Sequence, residues 1–253
     1  MILDAFRLTG KNALVTGSSR GLGAGIAVAL AEAGAHVALH GSHQVPKEVV
    51  DRVASTGARQ ITLTADLRNP ELCSELVEKT IAAFGSIDIL VNNAGMIRRA
   101  PAVDFTVGDW DEVMATNLTS AFRLSQSAGR HMLQQGSGKI INIASLLSFQ
   151  GGVTVPSYAA AKGGIAQLTK ALANEWASKG VQVNAIAPGY METDNTEALR
   201  KDPTRSRQIL ERIPAARWGS PQDIAGAAVF LASPASDYIN GHILAVDGGW
   251  LGR

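Results

Sequence analysis

Tyr158 and Lys162 stand four residues apart in Ser157-Tyr158-Ala159-Ala160-Ala161-Lys162, thirteen residues after Ser145, which ends an apolar run. On a helix, positions i and i+4 share a face, so the phenol and the ammonium lie side by side. A phenol ionises near pH ~10 in water, too high for efficient proton exchange at neutral pH. A neighbouring cation favours the phenolate and draws that value toward the working range, and a nearby hydroxyl can steady charge on a reacting oxygen. The chemistry on offer is proton exchange with a substrate oxygen. Taken alone, Tyr and Lys one turn apart are also what a solvated helix face gives, and a serine at a strand end is often a cap. Three further motifs decide between these readings.

The first is Thr16-Gly17-Ser18-Ser19-Arg20-Gly21-Leu22-Gly23, which follows a short apolar run and opens a helical pattern. Glycines at 17, 21 and 23 permit a tight turn and close approach of backbone to a pyrophosphate, which would sit on the free N–H groups of the next helix. The second is Asn92-Asn93-Ala94-Gly95, at the end of another apolar run. The third is Pro188-Gly189 with Thr193.

The elements that must position these residues alternate. Asn12–Val15, His36–His40, Gln60–Leu63, Ile87–Val91, Lys139–Ile143, Val181–Ile186 and Ile243–Val246 read as strands. Their near-continuous apolar character suits strands buried on both faces. Helices are expected over about 21–33, 46–56, 70–84, 107–134, 157–178 and 221–232, with Pro70 and Pro221 in first turns and Gly34 and Gly180 as stops. The expected fold is α/β: one Rossmann domain over 1–253, a doubly wound parallel seven-stranded sheet with helices on both faces. Residues 189–217 break the alternation and read as a lid over the substrate.

Composition narrows the class. The chain has 253 residues, 46% hydrophobic, and a formal charge of +1 without a basic stripe, so nucleic acid is not an expected partner. No apolar run approaches the ~20 residues of a membrane span, so a membrane is not expected either. The single cysteine, Cys73, cannot form an internal disulfide and reads as a helix filler in a reducing cytoplasm.

The spacing Gly-x-x-x-Gly-x-Gly, with the NNAG stretch and Asn117, Ser145, Tyr158 and Lys162 in this order, resembles the short-chain dehydrogenase/reductase family along essentially the whole chain. Ala161 stands where many members carry Ser. The resemblance implies a dehydrogenase using NAD or NADP. It makes Tyr158 the general acid/base, Ser145 its partner at the substrate oxygen, Lys162 a cation serving the phenol and the nicotinamide ribose, and Asn117 the holder of a water linking Lys162 to solvent. It implies cofactor contacts from Gly17, Ser19, Arg20, Gly21, Leu22, Gly23, Ser42, Asp66, Leu67, Asn93, Ala94, Gly95, Tyr158, Lys162, Pro188, Gly189 and Thr193, with Asp66 at the adenine edge. It also implies a homotetramer.

Gly41 falls where NAD-preferring relatives place an acid against the ribose 2′-hydroxyl. Nothing there repels a 2′-phosphate, and Arg20, Ser42 and His43 could hold one; Arg20 could equally be a solvated loop cation. Within the family, Asn92–Arg99, Ile141–Gly152, Val155–Tyr158, Asn184–Met191 and Ile213–Gly219 resemble the branch acting on gluconate-type sugar acids. For such a substrate Arg98 or Arg99 is a candidate for the carboxylate, Gln150 and Asn195 for hydroxyls, Ser145 for the reacting oxygen, and Trp218 for a wall. Arg98 and Arg99 also fit a surface or a subunit interface, and Trp218 fits lid packing. Two other readings stay open, a reductase of 3-ketoacyl thioesters and a non-catalytic nucleotide-binding protein. No metal site is expected.

Overall fold

The apolar runs assemble into a single sheet in a computed structural model that describes residues 1–253. Its strands are β1 (Asn12–Val15), β2 (His36–Gly41), β3 (Gln60–Thr64), β4 (Ile89–Asn92), β5 (Gly138–Ile143), β6 (Val181–Pro188) and β7 (Ile243–Val246). They run parallel in the order β3-β2-β1-β4-β5-β6-β7. Val15 lies beside Leu39 on one flank and Val91 on the other.

Both sheet faces are covered, as parallel strands require. Side chains alternate between the two cores, because successive residues of a strand point to opposite faces. Ala13 and Val15 pack with Ile26 and Leu30 of α1 (Gly21–Glu32) and Ile224 and Leu231 of α9 (Pro221–Ala232). Leu14 and Leu90 pack on the other side with Leu76 of α3 (Pro70–Phe84), Leu124 of α5 (Ser120–Gln135) and Leu172 of α6 (Pro156–Trp176). Helix α2 (Lys47–Ala54) closes the edge beside β2 and β3, turning Val49 and Val53 inward.

Local signals fix where the helices begin and end. Asn69 caps α3 by accepting from the Glu71 N–H at 3.0 Å, Pro70 fills its first turn, and Gly85 ends it at φ +95°. Ser220 and Asp223 form a reciprocal box around Pro221 at the start of α9. Gly34 and Gly180 take positive φ where the chain must turn back toward a strand.

The expected continuous helix over 107–134 is divided. Helix α4 (Val107–Met114) gives way to a π turn over Ala115–Thr119 before α5. A π turn inserts one residue into the helical ladder. Asn117 lies within it, its Oδ1 accepting from the Met96 N–H and its Nδ2 donating to the Met96 carbonyl, each at 2.8 Å. The irregular turn therefore ties the helix to the segment following β4.

From β1 the chain steps one way to β2 and β3 and the other way to β4 through β7. That reversal leaves a crevice at the strand C-termini. The 189–217 segment beyond β6 contributes α7 (Glu197–Lys201) and α8 (Pro203–Arg212) on that side. Leu90 is fully buried at the sheet centre, so Leu90→Ala should lower stability by about 2–5 kcal/mol. Urea unfolding should show a lower midpoint with an unchanged slope.

Candidate active site

A groove of about 540 Å³ follows the crevice. Every residue expected to touch the dinucleotide lines it, from Gly17 through Ser42 and Asp66 to Tyr158, Lys162 and Thr193. The glycine turn shapes its floor. Gly17 has φ +62°, a conformation costly for any side chain, and a β-carbon on Gly23 would overlap the Gly17 carbonyl oxygen. Asn93 holds this turn, its amide donating to the carbonyls of Thr16 at 2.8 Å and Gly17 at 3.0 Å. Helix α1 opens without a side-chain cap and without an acid in its first turn. Its free N–H groups and positive dipole end fit an anionic pyrophosphate.

At the far end β2 stops at Gly41, with Ser42 and His43 on the groove wall. Asp66 does not present a free carboxylate there. Arg68 donates to it through Nε at 2.9 and 3.0 Å, through Nη2 at 2.6 Å, and through its backbone N–H at 3.0 Å. These bonds hold the Asp66 carboxyl below its ordinary range. Arg20, largely exposed, reaches across to Asp194 of the segment after β6 at 3.2 Å.

The other end carries the reactive side chains. Ser145 lies just past β5 in extended backbone and caps the short turn Leu146–Ser148, its Oγ accepting from the Leu147 N–H at 3.2 Å. Tyr158 and Lys162 occupy the first two turns of α6. Lys162 is 4% exposed, and its Nζ donates to the Ile143 carbonyl at 2.5 Å, 5.6 Å from the centre of the Tyr158 ring. Burial pushes its ammonium down to about 8. Burial likewise raises the Tyr158 phenol; the Ser145 hydroxyl opposes this first, and the Arg99 guanidinium second. Asn117 is buried and outside the groove lining, engaged with Met96.

The candidate substrate residues separate. Arg98 donates to Glu112 at 2.7 and 3.0 Å and lies 3.5 Å from Asp109. Glu112 also accepts from Arg68 at 2.9 Å, so one carboxylate bridges two arginines. Arg99, exposed, takes no part in that chain. Asn195 lines the groove. Arg98, Arg99, Gln150 and Trp218 do not: Arg98 is held by Glu112, Gln150 accepts from the Trp250 indole N–H at 3.2 Å, and Trp218 packs with Leu146, Ile209, Ile213 and Trp250. The segment after β6 has a small apolar core of its own, and Gln150 and Trp218 are turned into it or against it. His40, Arg68, Glu112, Met191 and Asp194 also line the groove without having been picked out. Arg68, two residues beyond Asp66, was within reach of a local reading; Glu112 carried no signal in the chain.

Residues 17–251 match the family described as enoyl-(acyl carrier protein) reductase, and the chain belongs to this short-chain dehydrogenase/reductase family, an NAD(P)-dependent class of oxidoreductases. It is 56% identical to the 2-dehydro-3-deoxy-D-gluconate 5-dehydrogenase of Dickeya dadantii (strain 3937), over 100% of both chains. A crystal structure from Agrobacterium tumefaciens with bound NADP is 56% identical, covers 99% of this chain and 100% of its own, and superposes with a TM-score of 0.93. A gluconate 5-dehydrogenase from Burkholderia cenocepacia J2315, in complex with NADP and tartrate, is 42% identical over 100% of both chains with a TM-score of 0.94.

The Arg20–Asp194 pair sets a test of cofactor choice. Asp194→Asn should release Arg20 and tighten NADP, but not NAD, by about two- to fivefold, the size of an exposed ion pair. Fluorescence titration with each dinucleotide measures this.

Proposed function

We propose that the protein interconverts a hydroxyl and a keto group on a deoxy- or keto-gluconate-type sugar acid, 2-deoxy-D-gluconate or 2-dehydro-3-deoxy-D-gluconate, with NAD or NADP. One observation supports the sugar-acid assignment: Arg99, three residues beyond Met96 of the groove wall, is exposed and stands outside the Arg68–Glu112–Arg98 chain. A cation so placed can take a carboxylate while the substrate's carbinol or carbonyl meets Tyr158 and Ser145. The names of the relatives supply the class of acid.

In this reading Tyr158 exchanges a proton with the substrate oxygen and Ser145 bonds the same oxygen, steadying its charge as the bond order changes. The dinucleotide supplies or accepts the hydride. Lys162 places a buried positive charge beside the ribose, and the Asn117 turn fixes the segment leading from β4. The uncapped α1 N-terminus binds the pyrophosphate, and Arg20, Ser42 and His43 meet a 2′-phosphate when one is present. Asn195 meets a substrate hydroxyl, and residues 189–217 cover the bound substrate. The protein acts as a single domain over 1–253.

We further place it in the cytoplasm as a homotetramer. Cys73 is buried with its thiol pushed up to about 11 by burial, which suits an unreactive packing residue. No helix is long and apolar enough to cross a membrane. Exposed Val107, Trp110 and Phe122 on α4 and α5 offer apolar surface for packing between subunits.

The test follows reduced-nicotinamide absorbance with NAD and NADP against 2-deoxygluconate, 2-dehydro-3-deoxygluconate, gluconate and a 3-ketoacyl thioester. Turnover is expected on a deoxy or keto sugar acid. Tyr158→Phe should lower kcat/KM about 10²- to 10⁴-fold, and Arg99→Gln should raise KM about tenfold to a hundredfold, as loss of a charge-assisted bond predicts. Turnover of the thioester alone would replace the sugar-acid reading with a 3-ketoacyl reductase.

A further inference from the structure

His40 has no part in the chemistry above, yet the groove is built around it. It is the penultimate residue of β2 and is 2% exposed, with its ring on the groove wall. The Gly17 N–H donates to its Nδ1 at 3.1 Å, and its Nε2 lies 3.1 Å from the Ala65 carbonyl oxygen. The first contact demands an acceptor and the second a donor. Together they define one state of the ring, neutral, with the proton on Nε2. The backbone of the same residue is bound to the glycine turn as well: its N–H donates to the Ser18 Oγ at 2.9 Å, and its carbonyl accepts from the Ser18 N–H at 2.8 Å.

One side chain therefore spans the turn after β1 and the end of β3, which bracket the adenosine half of the groove. It also accounts for the Gly17 N–H, a donor that would otherwise be free at this left-handed glycine. A protonated ring has N–H groups on both nitrogens and would drive one of them against the Gly17 N–H. Burial disfavours that state and lowers the ring below its ordinary value, with the Ala65 bond a smaller opposing influence. The charged groups on the packed elements do not bond the ring. Arg20, on the glycine turn, is paired with Asp194; Asp66 and Arg68, beyond β3, are paired with each other; His43 follows β2 at the surface.

We propose that His40 is a positioning residue for the dinucleotide: while neutral it holds the glycine turn and the end of β3 in binding register, and its protonation in acid releases the turn and weakens dinucleotide affinity. The inference rests on the dinucleotide site and is independent of which sugar acid is bound.

The test is calorimetric titration of the full-length protein with NAD from about pH 8 to about pH 4.5, across the histidine range. NAD is chosen because it lacks a 2′-phosphate, whose own second ionisation falls near pH ~6. The wild-type affinity should fall about tenfold per pH unit below neutrality once the ring takes its proton. His40→Gln keeps one donor and one acceptor but does not titrate. It should bind NAD within about threefold of wild type at pH 8 and stay flat in acid. His40→Ala should bind more weakly at every pH, and if it fails to fold, the Gln comparison stands alone. Ring ¹⁵N shifts should show the Nε2–H tautomer at neutral pH. A flat wild-type profile, or the same acid loss in His40→Gln, overturns the proposal. Absence of NAD binding at pH 8 would remove the dinucleotide site and the proposal together.

Discussion

A parallel sheet that grows in both directions from its first strand cannot close its own centre. Where β1 lies beside β4, the connections leave in opposite directions, and the strand ends part. The functional geometry depends on this constraint. The glycine turn leaves β1, the Asn92–Gly95 segment leaves β4, Ser145 follows β5, and Pro188-Gly189 ends β6, so residues remote in sequence face one crevice. The apolar strands and the two cores around Leu14 and Val15 hold the ends at fixed spacing. Loops alone would not hold a phenol, a hydroxyl and an ammonium within reach of one another.

Charge is handled differently at the two ends of the groove. At the end of the groove near Ser42, opposite charges are paired in sequence: Asp66 with Arg68, Arg68 with Glu112, Glu112 with Arg98. This chain joins the end of β3 to α4 and to the loop after β4. At the reactive end the cation is isolated. Lys162 is buried with one carbonyl bond and no carboxylate partner. An uncompensated buried ammonium is costly, and the depressed value of about 8 expresses that cost. Groups with strongly shifted ionisation gather where chemistry occurs, and Tyr158 and Lys162 are shifted together.

Much of this was legible in the chain. The seven apolar runs located the strands within one or two residues, since β-rich runs bounded by helical patterns leave few alternatives. The glycine turn and the Ser145, Tyr158 and Lys162 spacing located both ends of the groove. What escaped was set by tertiary contact. The π turn at Asn117 depends on Met96, twenty-one residues away, and no local pattern announces it. Arg98 and Arg99 are indistinguishable as neighbours in sequence; Glu112 separates them by engaging the first. Gln150 and Trp218 looked suited to a polar pocket, but the aromatic cluster of Tyr190, Trp218 and Trp250 claims them. His40 read as one residue of a strand, because its two partners lie 23 and 25 residues away.

The central claim is that the partly buried Tyr158 phenol is held above its ordinary range in the free protein and responds to charge brought into the groove. The most direct measurement is phenolate absorbance against pH, taken as the difference between wild type and Tyr158→Phe, free and with NAD or NADH bound. The chain has three tyrosines, so the difference isolates one. The account predicts ionisation above the ordinary phenol value of about 10 in the free protein, lowered by at least about one unit with NAD, whose ring is cationic, and not with NADH. An ionisation at or below the ordinary value in the free protein, or one that NAD leaves unmoved, would contradict it.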